Sequence, residues 1–277
     1  MDEISIRGNI VCHRRDQFGE ISIADYNGIR SLYFGDGVMQ SCLNLDQPHV
    51  LLTEYSKAMM TALVFRRRPE SVLLIGLGGG SLVHFLLQAC PDCSIDVVEV
   101  SGEVISLARE YFFLPKENKQ LRVFHTAGQD FIRQQAGIDQ RYDLILIDAF
   151  DESGPAAVLT GRKFLSDCRS RLKADGVFAM NLWNRLQDNF PVMLETIRTA
   201  FAGHALKLLL GEVHENAIVL GFENPALFRD MAIYRPEALK MQKEWGINFP
   251  GFLKHLYRQN FGTAAIDDTY RIPGTDT

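Results

Sequence analysis

The 277 residues predict an α/β fold: a mostly parallel sheet with helices on both faces, closed by a terminal antiparallel hairpin and preceded by a small antiparallel β unit. From Ser71 onward, short apolar runs alternate with amphipathic stretches of helical period, the pattern of a parallel sheet. The last two apolar runs, 205–211 and 217–222, are joined only by Glu212-Val213-His214-Glu215-Asn216, short enough for a hairpin. Before residue 44 the apolar segments are brief, alternating and punctuated by turn residues.

In chain order, Ile21-Ser22-Ile23-Ala24 and Ser31-Leu32-Tyr33-Phe34 read as strands, broken at Tyr26-Asn27-Gly28 and Gly35-Asp36-Gly37, which are hairpin signals. A helical pattern runs from Val50 to Phe65. It ends at Arg66-Arg67-Arg68-Pro69, read as a solvated helix end rather than a phosphate or nucleic-acid patch. There follow strand 71–76, helix 81–90 with Ser81 as its cap, strand 94–100, helix 102–112, strand 121–125 and helix 129–136. Strand 142–148, helix 161–173 and strand 176–182 lead into the final hairpin. The tail reads as two helices and an irregular end. The expected partition is therefore a β-hairpin unit (1–48), a Rossmann-like unit (49–223) and a helical extension (224–277). A parallel sheet ending in an antiparallel hairpin is the outline of the class I methyltransferase-like fold.

Composition narrows the function classes. With 47% apolar residues the chain can bury a sizeable core. Lys+Arg 29 against Asp+Glu 34 gives net charge −5, which lacks the electropositive signature of nucleic-acid binders, so no nucleic-acid partner is expected. The first residues lack a signal-peptide pattern, and the longest apolar stretch, Val72 to Ala89, is interrupted by glycines and His84. The expectation is a soluble, cytoplasmic protein with no membrane partner. Five scattered cysteines imply reduced thiols. Cys90-Pro91-Asp92-Cys93 has the spacing of a redox pair or half a zinc site, but no second pair lies nearby and it reads as a plain turn. No histidine shows metal-ligand spacing, so no metal is expected.

Two segments carry chemistry. "VLLIGLGGGSLVHFLL" places Gly76, Gly78, Gly79 and Gly80 between a buried strand and a helix, where free N–H groups and the absence of side chains let a ligand approach. Glu99 ends the next strand, 23 residues after Gly76, where doubly wound nucleotide folds put the carboxylate that takes two ribose hydroxyls. Together they point to an adenosine-type ligand across the carboxyl ends of the strands. The loop has no Lys-Ser/Thr pair, which disfavours triphosphate hydrolysis, and no Gly-x-Ser-x-Gly elbow is present. The second segment is "LIDAFDESGP". Asp148 ends a strand that should border the same cleft, and Asp151 follows within reach. Two acids beside an adenosine site suit a cationic amine: each attracts the ammonium, and one accepts the proton that must leave before nitrogen becomes a nucleophile. A sulfonium co-substrate supplies the electrophilic carbon.

From about residue 10 to 222 the sequence resembles the polyamine aminopropyltransferases (spermidine synthases). The resemblance is carried by "GDGVMQS", "LLIGLGGGS", "VVEVSGEVISLAREYF" and, above all, "YDLILIDAFDESGP", in which Asp148, Asp151, Gly154 and Pro155 fall at the family's spacing. It implies aminopropyl transfer from decarboxylated S-adenosylmethionine to a small-molecule amine, in a homodimer or homotetramer. It makes Asp148 the proton acceptor. It gives Asp151, Gln40 and His49 to the amine substrate, and Gly76, Gly78, Gly79, Gly80, Glu99, Ala127, Gly128 and Pro155 to the donor. There are departures. Gly79 stands where the family carries an aspartate, implied to contact the aminopropyl ammonium. Ala127 stands where a second acid faces the adenine, with Asp130 the nearest replacement. The family's amine-gripping tyrosine has His49 and Tyr55 as its nearest candidates. A loop without that aspartate tolerates a carboxylate, so S-adenosylmethionine itself is the alternative donor.

Other residues are weighed against plain packing. His84 reads as a packed, hydrogen-bonded histidine. Asn181-Leu182-Trp183-Asn184 follows a strand and can line the substrate end, with Trp183 either stacking on substrate or packing in the core; His214-Glu215-Asn216 reads as an ordinary turn that can also close over the pocket. The rival functions are an S-adenosylmethionine-dependent methyltransferase and a non-catalytic nucleoside or polyamine binder.

Overall fold

The computed structural model describes residues 6–35, 37–134, 141–151, 154–155, 157–183, 189–210 and 216–262, excluding the side chains of residues 151, 154, 155 and 157. Strands β1 (Asn9–Asp16), β2 (Gly19–Tyr26), β3 (Ile29–Phe34) and β4 (Val38–Asn44) form an antiparallel meander in that order. Its β2–β3 turn has Asn27 and Gly28 both at positive φ (50° and 75°), as a two-residue primed turn requires.

The single helix expected over 50–65 is two short ones, α1 (Glu54–Met59) and α2 (Ala62–Phe65). The break is local: the amides of Thr61, Leu63 and Val64 bond three residues back rather than four, tightening the turn between them. The arginine run after α2 is not simply solvated. Arg66 pairs with Asp143, a carboxylate with no exposed side-chain surface, which also accepts from Lys173 Nζ (2.8 Å) and the backbone N–H of Glu70 (2.9 Å) and Ser71 (3.1 Å). Burial alone pushes Asp143 up, but these partners hold it below the usual carboxylate range. A buried charge without them would be strongly destabilising, which is why the arginine is drawn in.

The central sheet has the order β12-β13-β11-β8-β5-β6-β7, from β5 (Ser71–Ile75), β6 (Ser94–Glu99), β7 (Leu121–His125), β8 (Tyr142–Ile147), β11 (Leu172–Trp183), β12 (Ala205–Leu209) and β13 (Asn216–Phe222). Five strands are parallel, and β13 and β12 complete the terminal antiparallel hairpin. A two-residue pair, β9 (Phe150–Asp151) and β10 (Gly154–Pro155), follows β8. The intervening helices are α3 (Ser81–Ala89), α4 (Gly102–Tyr111), α5 (Gly128–Gln134), α6 (Arg162–Ser170) and α7 (Phe190–Ala200). Strand alternation sorts the core. Val72 and Leu74 of β5 pack with α1 and α3, whereas Leu73 and Ile75 pack with α5, α6 and α7.

Two boundaries differ from expectation. Helix α6 stops at Ser170, and β11 begins at Leu172, staying extended with a register irregularity between Leu172 and Val177 where Asp175-Gly176 resembles a turn. At α3 the cap is Gly80 in the left-handed conformation, and Ser81 is the first helical residue.

Beyond the sheet lie α8 (Ala226–Arg229), a single 3-10 turn (Met231–Tyr234), α9 (Arg235–Trp245) and α10 (Phe249–Phe261). Arg67 is tied to Glu237 and Glu244 of α9 (both 2.9 Å). In α10, the Asn260 amide bonds both N–H and C=O of Lys207, and the Gln259 amide both those groups of Leu209, so side chains occupy the open edge of β12. No helix among the described residues is long and apolar enough to cross a membrane.

Candidate active site

The carboxyl ends of β5, β6, β8 and β11 open into one cavity of about 1260 Å³, bordered on its far side by the β1–β2 turn, β4 and α1. Its position follows the rule for open α/β sheets. Its size exceeds the roughly 300–1,000 Å³ of a single small-molecule site, leaving room for two co-substrates.

The glycine loop forms one wall through Gly76, Leu77 and Gly78. Gly76 has φ +97°, and a Cβ there would sit 2.1 Å from the Asp148 carbonyl oxygen. The Asp148 N–H bonds Ile75 C=O at 2.9 Å, so the ends of β5 and β8 meet backbone to backbone. Gly79 and Gly80 lie behind this wall. A Cβ on Gly79 would lie 2.8 Å from the Phe112 ring and 3.1 Å from Ser41 Oγ. Phe112 is anchored in turn by His84, whose Nε2 is 2.8 Å from its carbonyl oxygen, confirming His84 as a packed residue. The space where the resemblance places an acid is therefore occupied by an aromatic ring.

Glu99 lines the cavity from the end of β6. Its Oε2 accepts the N–H of Leu77 and its Oε1 that of Ser101, both at 2.9 Å. Burial pushes its pKa up and these backbone donors oppose the shift. Each oxygen keeps a second lone pair for a ligand hydroxyl. The loop is latched by the N-terminal sheet: Ser101 Oγ, which caps α4 by accepting Val104 N–H, also meets the Asp16 carboxylate at 2.5 Å. Asp16 ends β1, so the N-terminal sheet holds this acid-bearing loop in place.

Asp148 follows β8 and also lines the cavity. Burial pushes its pKa up to about 6, against the counteracting hydrogen bond from Asn181 Nδ2 to Oδ1 at 2.9 Å. Tyr55 of α1 faces the same space. Its phenol is pushed well above its ordinary value by burial and by the Asp148 charge, and it donates to the Gln40 carbonyl oxygen at 3.0 Å. Gln40 lines the wall with its side-chain amide nitrogen buried and without a partner. Phe150 and Trp183 stack at 5.3 Å beside Asp148 and Asn181.

Of the residues singled out from sequence, Gly76, Gly78, Glu99, Gly128, Asp148 and Gln40 line this one cavity. His49 does not; it lies near His84, and Tyr55 occupies the wall instead. Ala127 serves as the carbonyl acceptor starting α5, and Asp130 pairs with Arg133 at 3.0 Å. Asp151 and Pro155 belong to the β9–β10 pair, but their side chains fall outside the described residues, as do Asn184, His214 and Glu215. Sequence reasoning did not foresee Phe112, Asp16 or the contacts of Asn216.

A family profile described as spermine/spermidine synthase domain matches residues 53–199. The polyamine aminopropyltransferase of Chromobacterium violaceum is 31% identical over 245 residues, covering 88% of this chain and 92% of that protein. Two solved structures show the same fold. One is spermidine synthase in complex with the transition state analogue AdoDATO (TM-score 0.68, 18% identity, 88% of this chain and 85% of that one). The other is human methyltransferase-like protein 13 in complex with SAH (TM-score 0.58, 24% identity, 72% and 93%). A family profile over more than half the chain, and a relative matched along nearly its whole length, agree with the glycine loop and the paired strand-end acids: the chain belongs to the spermine/spermidine synthase family.

Proposed function

We propose that this protein transfers an aminopropyl group from decarboxylated S-adenosylmethionine to a small amine, releasing methylthioadenosine. The observation that carries this is the convergence of Glu99 and a buried Asp148, its pKa raised by burial, on one cavity beside the glycine loop. Glu99 holds the ribose hydroxyls of the donor, and Gly76 and Gly78 let its sulfonium approach the strand ends. An ammonium docking beside Asp148 supplies the counter-charge that burial withholds. The carboxylate then takes one proton, and the freed nitrogen lone pair attacks the methylene carbon bound to sulfur. The C–S bond breaks, its electron pair stays on sulfur, and the sulfonium becomes a neutral thioether. The Tyr55 oxygen, with its proton committed to Gln40, keeps its lone pairs toward the amine, and Asp151 is assigned to the same substrate. Much of the rate comes from holding nitrogen and carbon in line.

Donor choice turns on Gly79. With the Phe112 ring beside it and no acid at that position to claim a tail ammonium, the site discriminates poorly between the decarboxylated donor and S-adenosylmethionine. Calorimetry with each donor is expected to give dissociation constants within about tenfold of each other; strong binding of the decarboxylated form alone would reject the relaxed selectivity. Incubation with each donor and a panel of diamines, followed by mass spectrometry of the nucleoside, tests the reaction itself. Methylthioadenosine is the expected product. S-adenosylhomocysteine would instead establish methyl transfer, and neither product a binding protein.

A further inference from the structure

We propose that Asn181 and Asn216 are positioning residues for this reaction, forming a two-amide relay that runs from the start of β13 to Asp148 and presents its carboxylate to the acceptor in one orientation. The relay presupposes Asp148 as proton acceptor and so rests on the aminopropyl-transfer assignment.

The geometry is directional. Asn216 Nδ2 donates to Asn181 Oδ1 at 3.1 Å, and Asn181 Nδ2 donates to Asp148 Oδ1 at 2.9 Å. An amide has one donor end and one acceptor end. Occupying the Asn181 carbonyl with a donor from Asn216 turns the Asn181 nitrogen toward Asp148; the flipped amide would set its oxygen against the carboxylate. Asn181 is only 2% exposed, so water is not on hand to substitute for either partner. The register places both residues: across the β11–β13 pair Trp183 faces Asn216 and Asn181 faces Ile218, which leaves the two asparagines on a diagonal within side-chain reach. With Oδ1 committed to Asn181, Oδ2 takes no hydrogen bond from the described residues and is the oxygen left for the acceptor amine.

The surroundings make the relay matter. Among the described residues, the titratable groups lining the cavity with Asp148 are Tyr55 and Glu54 from α1, Asp16 and Glu20 from the β1–β2 hairpin and Glu99 from β6, of which Tyr55 feels the Asp148 charge; the sheet contributes Ile75, Asn181 and Asn216, all neutral. Among the described residues none of these is a cation that favours the ionised form, and Asn181 is the side-chain donor that does.

The test follows turnover against pH and, separately, the ionisation of Asp148 by carbon-13 NMR of aspartate carboxyls, with Asp148→Asn used to assign the resonance. In Asn181→Leu, turnover is expected to fall about tenfold or more, with donor affinity kept, and the acidic limb of the pH profile to move up by about one unit. Asn216 makes no hydrogen bond to Asp148 itself, yet Asn216→Val is expected to shift the limb and the NMR titration in the same direction; Asn216→Ser, which restores a donor, is expected to return them most of the way. A structural role alone would lower activity without moving either titration. Unmoved titrations in folded Asn216→Val would overturn the relay even if Asn181→Leu fails to fold. Shifted NMR titrations in a protein that transfers no aminopropyl group would leave the relay standing and sink the assigned reaction instead.

Discussion

Replacing Asp148 by Asn is expected to abolish most turnover and, at neutral pH, to make the protein more stable. Loss of a positioned proton acceptor typically costs about 10²–10⁴-fold in rate. Donor binding should survive, because Glu99 and the glycine loop are untouched, and the oxygen of the introduced amide can still accept from Asn181. The stability gain has a separate origin. Burial lifts the Asp148 carboxyl from 3.8 to about 6, so between those values the native state binds more protons than the unfolded chain. Stability therefore declines as pH rises through that window and stays reduced above it. The variant carries no such group and loses that slope. At neutral pH its advantage is about 1–3 kcal/mol, and near pH 4 it should vanish. Paired urea melts of the two proteins at about pH 4 and about pH 7 check the sign; a variant less stable than the parent at neutral pH would contradict the buried-charge account. Catalytic need and stability pull in opposite directions at this residue.

Gly76→Ala is expected to be the most damaging single-methyl change in the site. The residue sits at φ +97°, where a side chain is strained, and the added carbon would lie 2.1 Å from the Asp148 carbonyl oxygen, which is backbone and cannot swing aside. Relief requires the ends of β5 and β8 to part, breaking the Asp148 N–H to Ile75 C=O bond. A loss of about 3–5 kcal/mol follows from strain and clash together. Because Asp148 moves with its backbone, surviving folded protein should also show weaker donor binding and lower turnover. Thermal melting and calorimetry with donor measure both. A near-normal melting temperature with full activity would show that the two strand ends are not packed as described.

The parallel core and its strand-end groups were legible because their signals are local. An apolar run that ends in Gly76, Glu99 or Asp148 announces both a strand and the edge at which it stops. What escaped notice depends on residues far apart in sequence. The Asn216 to Asn181 contact needs the register of two strands separated by the α7 and β12 excursion. Phe112 fills the space beside Gly79 only because α4 returns its end against the glycine loop, which no periodicity encodes. The Arg66 ion pair is hidden from the sequence for the same reason: its acid is 77 residues away, on β8. His49 and Tyr55 are both candidates from sequence, and it takes helix α1 to show that Tyr55, not His49, lines the cavity.

The amides of Gln259 and Asn260 have a consequence beyond anchoring a helix. By matching both hydrogen-bonding groups of alternate residues on β12, they imitate a further strand and end the sheet there. A chain cut after Phe222 would offer that border to any passing extended segment, including another copy of itself. Insolubility, ahead of any loss of chemistry, is then the first symptom of losing the C-terminal helices.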